Sequence, residues 1–429
     1  MLNALGLLKE RRFLPIFVTQ FLGAYNDNLF KTTMVLFATY QVYDNPKLES
    51  NFNALATGLS LLPFFLLSAL SGQLADTTDK ARIVRIVKAL EIAIMLVGAA
   101  GLMVARAGQS TIGIGLMLAS VLFLGIHSTF FGPIKYAILP QHLKEDEVLG
   151  GTGLVEAGTY ISILLGTVTA GWISVEAASI TVVVVAVLGW FAGRQVPPAP
   201  RMGPELTINY NPITASWRLV RDTMHIWRLF MAICAISFFW AIGAVLIITF
   251  PPLVKNLLTA DKEVASLVIA IFSVGVAIGS IIINTLLKGE ISAKFAPLSV
   301  IGMGAFLVAF SVCCRTWVPA EPGHFYSAIE FIEQPYAWLV VATLTGVAIT
   351  GGMFVVPLYA FLTTTVSKDQ AARTVAGANV VYSGAMVIGA LMVIILTALG
   401  LPPQDMLLVA AGMCLVSAWV AQQLHRACD

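Results

Sequence analysis

Residues 13–40 read FLPIFVTQFLGAYNDNLFKTTMVLFATY, an apolar stretch long enough to cross a bilayer, with two ionisable groups, Asp27 and Lys31, in its middle. At about 100° per residue, Gln20, Ala24, Asp27 and Lys31 share one helix face, and Asn28 lies beside it. A carboxylate at the centre of a lipid-facing helix costs about 2.5 to 3.5 kcal/mol, so this face is expected to look toward other helices or a water-filled cavity. Two readings stand. Either Asp27 belongs to a binding site, or Asp27 and Lys31, spaced i and i+4, merely neutralise each other.

The rest of the chain has the same character. Of 429 residues, 58% are hydrophobic and 11% charged, against about 25% charged in soluble domains. Apolar windows predict an all-α membrane protein with 12 transmembrane helices, near residues 13–40, 52–75, 83–105, 112–139, 148–173 and 177–195, and then 229–254, 264–287, 295–314, 337–362, 374–399 and 404–424. The longest polar break, 196–228, separates two six-helix bundles, 1–195 and 229–429. At one fixed offset Phe131, Tyr136, Ala137, Leu139, Asp146 and Gly166 align with Phe354, Tyr359, Ala360, Leu362, Asp369 and Gly389, which puts spans four and five on spans ten and eleven, as a pseudo-symmetric duplication requires.

A net charge of +2, without a dense basic run, gives no footing for nucleic acid. The five cysteines, at 234, 313, 314, 414 and 428, have no CxxC or Cys/His spacing, so neither disulfides nor a metal is expected. No GxxxxGK[ST] loop occurs, and no cofactor is expected. Lys9, Arg11 and Arg12 precede the first span without a small-residue cleavage site, so that span is expected to be retained. Most of the 25 Lys and Arg fall on the side that holds both termini, which the positive-inside rule makes cytoplasmic.

Within the central break, PPAPRMGP is followed by Asn211 and Pro212, an N-cap and first helical residue. The helix they start would set Trp217, Val220, Met224 and Trp227 on one face and Arg218, Arg221, His225 and Arg228 on another, either lying on an anionic leaflet or serving as a tether. Residues 315–336, with three prolines, three glutamates and several aromatics, suit the opposite interface.

Between spans two and three stands Gly72-Gln73-Leu74-Ala75-Asp76, followed by Lys80, Arg82 and Arg85. This resembles the loop motif of the major facilitator superfamily, G-x-L-A-D with basic residues after it, and implies that superfamily's fold, with Gly72, Asp76 and Arg82 in gating. A glycine there admits close helix approach, and the carboxylate can lock one conformation. Asp79 replaces the usual glycine and Thr77 the usual base, so a weaker lock is expected.

Span four ends in Gly125-Ile126-His127-Ser128-Thr129-Phe130-Phe131-Gly132-Pro133-Ile134-Lys135-Tyr136, and span five carries Gly153-Leu154-Val155-Glu156-Ala157-Gly158-Thr159. With the GAYNDN of span one and Gly352-Met353-Phe354-Val355-Val356-Pro357-Leu358 of span ten, these resemble the lysophospholipid transporter family. That resemblance implies a flippase of the bacterial inner membrane, moving lysophosphatidylethanolamine or lysophosphatidylglycerol from outer to inner leaflet by alternating access, for reacylation. It further implies an acyltransferase or acyl carrier protein ligase partner, either on a separate polypeptide or as a fused domain beyond the sequence given; a monomer is expected.

Such a carrier needs polar groups for a phosphate and its headgroup, and an apolar wall for one acyl tail. Lys135 can hold the phosphate, while Asp27 or Glu156 can face an ammonium; Asn28, Lys31, Tyr160 and Asn379, the repeat-mate of Glu156, complete the candidate substrate site. The bland alternatives are a snorkelling Lys135, a structural Lys135–Glu156 bridge, a hydrogen-bonded His127, an i, i+3 pair of Lys88 and Glu91 near the cytoplasmic end of span three, and a packing role for Trp240. The competing function is a proton-coupled exporter of drugs or small amphiphiles. An intramembrane enzyme is disfavoured, since no HExxH or supported Ser/His pair occurs.

Overall fold

Each apolar window forms a helix in the computed structural model, which describes residues 4–201, 208–287, 292–364 and 368–428. The helices are α1 (Leu14–Phe37), α2 (Pro46–Thr77), α3 (Lys80–Arg106), α4 (Ser110–Ala137), the single turn α5 (Leu139–His142), α6 (Glu145–Trp172) and α7 (Val175–Arg194), followed by the short α8 (Pro212–Met224). Then come α9 (Trp227–Asn256), α10 (Lys262–Leu286), α11 (Ala296–Arg315), the short α12 (Ala328–Glu333), α13 (Ala337–Thr364), α14 (Lys368–Ala398) and α15 (Pro403–Cys428). Among the described residues the nearest thing to a sheet is one isolated bridge between Ala260 and Tyr326.

Eleven of these helices, α2 to α15 without the short ones, are long and apolar enough to cross a membrane. The first helix has the length, 24 residues. Gln20, Asn26, Asp27, Asn28 and Lys31 draw its hydropathy below that of the others, so length and composition alone do not make it the twelfth.

The chain divides into two units. Met1–Phe37 with Leu66–Ser216 form one, and Ala38–Phe65 with Trp217–Asp429 the other. In the first unit α1 packs on α6 and α7, and α3 on α4 and α7. At one end Phe13, Ile16, Val84, Phe131, Ile134 and Val155 close a buried apolar cluster. In the second unit α9 packs on α14 and α15, α11 on α13 and α15, and α10 on α13.

Lipid offers these helices no hydrophobic drive toward one another, so small residues that let backbones approach decide the packing. A Cβ placed on Gly279 of α10 would strike the Ile349 carbonyl of α13, and one on Gly352 would strike the Val276 carbonyl. Gly279→Ala is therefore expected to lower stability by about 2 kcal/mol, read as the thermal midpoint of the detergent-purified protein. Gly243→Ala, whose added methyl meets open space, should hold or raise it; equal losses would remove the close-approach account.

Asn211 caps α8 as its sequence predicts, its side-chain oxygen accepting the backbone N–H groups of Ile213 and Thr214 at 3.1 Å each. The helix ends at Met224, so Trp227 lies in α9 and not on the proposed amphipathic face. Ala215, Ser216 and Thr223 are the buried side, and Trp217 stands 68% exposed.

Candidate functional site

Two adjacent pairs, Asn26–Asp27 on α1 and His127–Ser128 on α4, build the polar centre of the first unit. Successive helical residues point about 100° apart, so each pair sends one side chain inward and one toward the front. Inward, Glu91 of α3 accepts from Asn26 Nδ2 at 3.0 Å and from Lys88 Nζ at 2.6 Å, and His127 Nε2 lies 3.2 Å from the same carboxylate. Lys88 is 0% exposed and Glu91 1%. The ammonium also sits 5.0 Å from the centre of the Phe131 ring and occupies the space a side chain at Gly23 would need.

The Lys88–Glu91 pair forms at the expected i, i+3 spacing, but it lies roughly 12 to 16 Å along α3 by helical rise, sealed in the bundle rather than at its end. His127 joins it as a buried helix residue near Glu91, with neither ring nitrogen in a hydrogen bond among the described residues.

At the front, Ser128 Oγ donates to Asp27 Oδ2 at 2.7 Å, and Gln20 Nε2 to Thr159 Oγ1 of α6 at 2.9 Å. The second carboxylate oxygen, Asp27 Oδ1, is buried without a hydrogen-bond partner among the described residues. Lys31, one turn on and half-buried, makes no ion pair with Asp27 and has no hydrogen bond among the described residues. The local neutralisation weighed from the sequence does not occur. Asn28 is satisfied within its own helix, donating to the Ala24 carbonyl at 2.8 Å.

A second group gathers on α4 and α6. Glu156 lies close enough to act electrostatically on both Lys135 and Tyr160, and the tyrosine is 69% exposed. Asn379 lies on α14 in the second unit, exposed, its backbone carbonyl accepting Ser383 Oγ at 2.8 Å.

Of the gating candidates, Gly72 faces open space, so no close approach explains it, and Arg82 is exposed. The side chain of Asp76 lies outside the described residues. The departure from the motif has a use: Asp79 caps α3 by accepting the Ala81 N–H at 2.9 Å and also accepts the Ala199 N–H at 3.0 Å, tying the start of the central break to the bundle. Beside it Arg12 forks onto Glu147 at 2.7 and 2.8 Å. That bond, with the Lys144 N–H, holds the Glu147 carboxyl down at about 2.

In the second unit, Lys255 near the end of α9 is buried and donates to the carbonyls of Thr39 and Tyr43 at 2.6 and 2.7 Å and to Glu49 Oε1 at 2.8 Å. Residues 38–42 form a π-helical turn, which frees carbonyls for the ammonium. Trp240 Nε1 donates to the Tyr359 hydroxyl at 2.6 Å, and Tyr382 stacks edge-on against Tyr359 at 5.9 Å. Sequence reading gave Trp240 a packing role and passed over its bond to Tyr359 and the Glu49–Lys255 pair; for the pair, opposite charges at the ends of two predicted spans were the available signal. No group of three His, Cys, Asp or Glu among the described residues is placed to hold a metal.

A family model described as transmembrane secretion effector, of the major facilitator superfamily, matches residues 49–349. Curated relatives include the lysophospholipid transporters LplT of Serratia proteamaculans, 26% identical over 83% of this chain and 80% of that protein, and of Salmonella typhimurium, 26% identical over 87% and 83%. The chain belongs to that family, in the lysophospholipid transporter group. Solved structures agree with major facilitator architecture. A bacterial homologue of the iron transporter ferroportin superposes with a TM-score of 0.69 at 12% identity, over 97% of this chain and 98% of that one. A mutant form of the nucleoside transporter NupG gives 0.66 at 13%, over 96% and 99%. For a lysophospholipid transporter family member, buried charge in the first bundle is the feature that composition alone would not predict.

Proposed function

We propose that this protein is a lysophospholipid flippase of the bacterial inner membrane, moving lysophosphatidylethanolamine or lysophosphatidylglycerol from the outer to the inner leaflet for reacylation. One observation carries the reading. Among the described residues Asp27 keeps an unpaired carboxylate oxygen and Lys31, one turn away on the same helix, keeps an unpaired ammonium, so two opposite charges share one helix face without an ion pair between them. A zwitterionic headgroup matches that pattern: its ammonium meets Asp27 and its phosphate meets Lys31, with Lys135 as a second phosphate contact. Exposed Tyr160 offers an amphipathic ring to glycerol and acyl chain.

The architecture proposed with it has Leu14–Phe37 as the first of twelve spans, both termini cytoplasmic, and halves 1–195 and 229–429 joined by 196–228. Equivalent packing supports the duplication: α1 on α6 and α7 answers α9 on α14 and α15, and α3 on α4 and α7 answers α11 on α13 and α15. Transport then proceeds by alternating access, with Gly72, Asp76 and Arg82 in the gating loop.

The description of the family model as a secretion effector, and a histidine on the buried Glu91, favour a second reading, a proton-coupled exporter of amphiphiles. Uptake of labelled lysophosphatidylethanolamine into liposomes carrying only this protein separates the two. A flippase continues when the proton gradient is collapsed; an exporter stalls, and no uptake of the lipid at all sinks the first reading. Lys135→Ala is expected to slow lysophosphatidylglycerol about tenfold while sparing a neutral single-tailed amphiphile. Equal losses for both would make Lys135 structural.

A further inference from the structure

Away from Asp27, a cavity of about 540 Å³ opens in the first unit where α1 begins and α7 ends, and Arg11, Arg12, Arg85 and Arg194 all line it, with Gln195 to Pro198 as its remaining wall. Four guanidinium groups around one space repel each other, so the question is what offsets them. Arg12 is neutralised by Glu147, with Glu10 at 3.8 Å. No ion pair joins Arg11, Arg85 or Arg194 to a carboxylate among the described residues. Arg194 stacks on the Trp190 ring at 4.9 Å, which fixes its position without cancelling its charge. Arg85 donates to the Val196 carbonyl at 3.0 Å, and its Nε is buried with no partner.

We propose that this cavity binds the phosphate group of an anionic ligand, held chiefly by Arg11, Arg85 and Arg194. Guanidinium forks match phosphate oxygens two at a time, and an unpartnered, partly desolvated guanidinium gains most from doing so. The depth suits a lipid. Arg194 ends a membrane-spanning helix and Arg85 lies in the second turn of another, which puts the cavity at the boundary where lipid phosphates reside. A soluble organic phosphate offers the same chemistry. Neither source depends on which substrate crosses at Asp27, so the site stands whether or not the flippase reading does.

The test is native mass spectrometry of the detergent-purified full chain, titrated separately with phosphatidylglycerol, phosphatidylcholine and glycerol 3-phosphate. Wild type should retain phosphatidylglycerol well above phosphatidylcholine, and Arg11→Gln/Arg194→Gln should weaken that retention at least about tenfold. Those two side chains donate no hydrogen bond among the described residues, so the double variant should keep wild-type helicity and thermal midpoint. Arg85→Gln should show the same loss, but it also gives up the tie to Val196, which is why the double variant decides. Glycerol 3-phosphate that binds wild type, competes with the lipid and is lost in the double variant would assign the site to a soluble phosphate. Equal retention of the two lipids with no glycerol 3-phosphate binding, or a double variant that binds like wild type, would overturn the proposal.

Discussion

Glu91→Gln alone is expected to destabilise the protein by about 3 to 5 kcal/mol, whereas Lys88→Met/Glu91→Leu together should recover most of that loss. The single change leaves the Lys88 ammonium sealed from water with its carboxylate partner gone, and the Phe131 ring face cannot replace a full negative charge. Removing both charges takes away the desolvation cost along with the attraction. What remains of the deficit should trace to Asn26, which loses its acceptor, and to His127, which loses the carboxylate 3.2 Å from its Nε2. Thermal unfolding in detergent of the two variants and Lys88→Met gives the cycle. A Glu91→Gln protein as stable as wild type would mean that water reaches this pair.

On the function proposed, Asp27→Ala should lower lysophosphatidylethanolamine uptake by about a hundredfold, the loss of one desolvated charge contact, while leaving a folded protein. Asp27 lies at the half-buried front of the polar centre, and its removal frees only the Ser128 hydroxyl. Asp27→Asn keeps an acceptor for Ser128 and discards the charge. If charge recognition is the role, the two variants fail alike in liposome uptake; if the Ser128 bond is the role, Asp27→Asn works. Normal uptake by Asp27→Ala would take this residue out of the site.

The two predictions differ in how far a sequence could reach them. Hydropathy finds the helices to within a few residues, as with 229–254 against Trp227–Asn256 and 264–287 against Lys262–Leu286, because bilayer thickness fixes their length. The Asn211 cap was legible too, since it is decided by its own next three residues. Periodicity also put Gln20 and Asp27 on one face. It does not say which neighbour that face meets, and so it left open a local Asp27–Lys31 pair where the fold supplies Ser128 from α4 instead. The Lys88–Glu91 pair was visible from its spacing but its depth was not, because burial depends on how α1, α4 and α7 surround α3. Partners as far apart as Glu49 and Lys255 show only as opposite charges at two span ends, with nothing local to pair them.

That last contact has a chemical asymmetry. Two of the three oxygens that Lys255 holds closely are peptide carbonyls, which no acidification can protonate, and one is the Glu49 carboxylate. Protonating Glu49 would therefore weaken a single acceptor and leave the ammonium anchored to main chain. The two main-chain bonds, to Thr39 and Tyr43, tie the segment before α2 to α9 by contacts that acid does not titrate, unlike an ordinary pair of side chains.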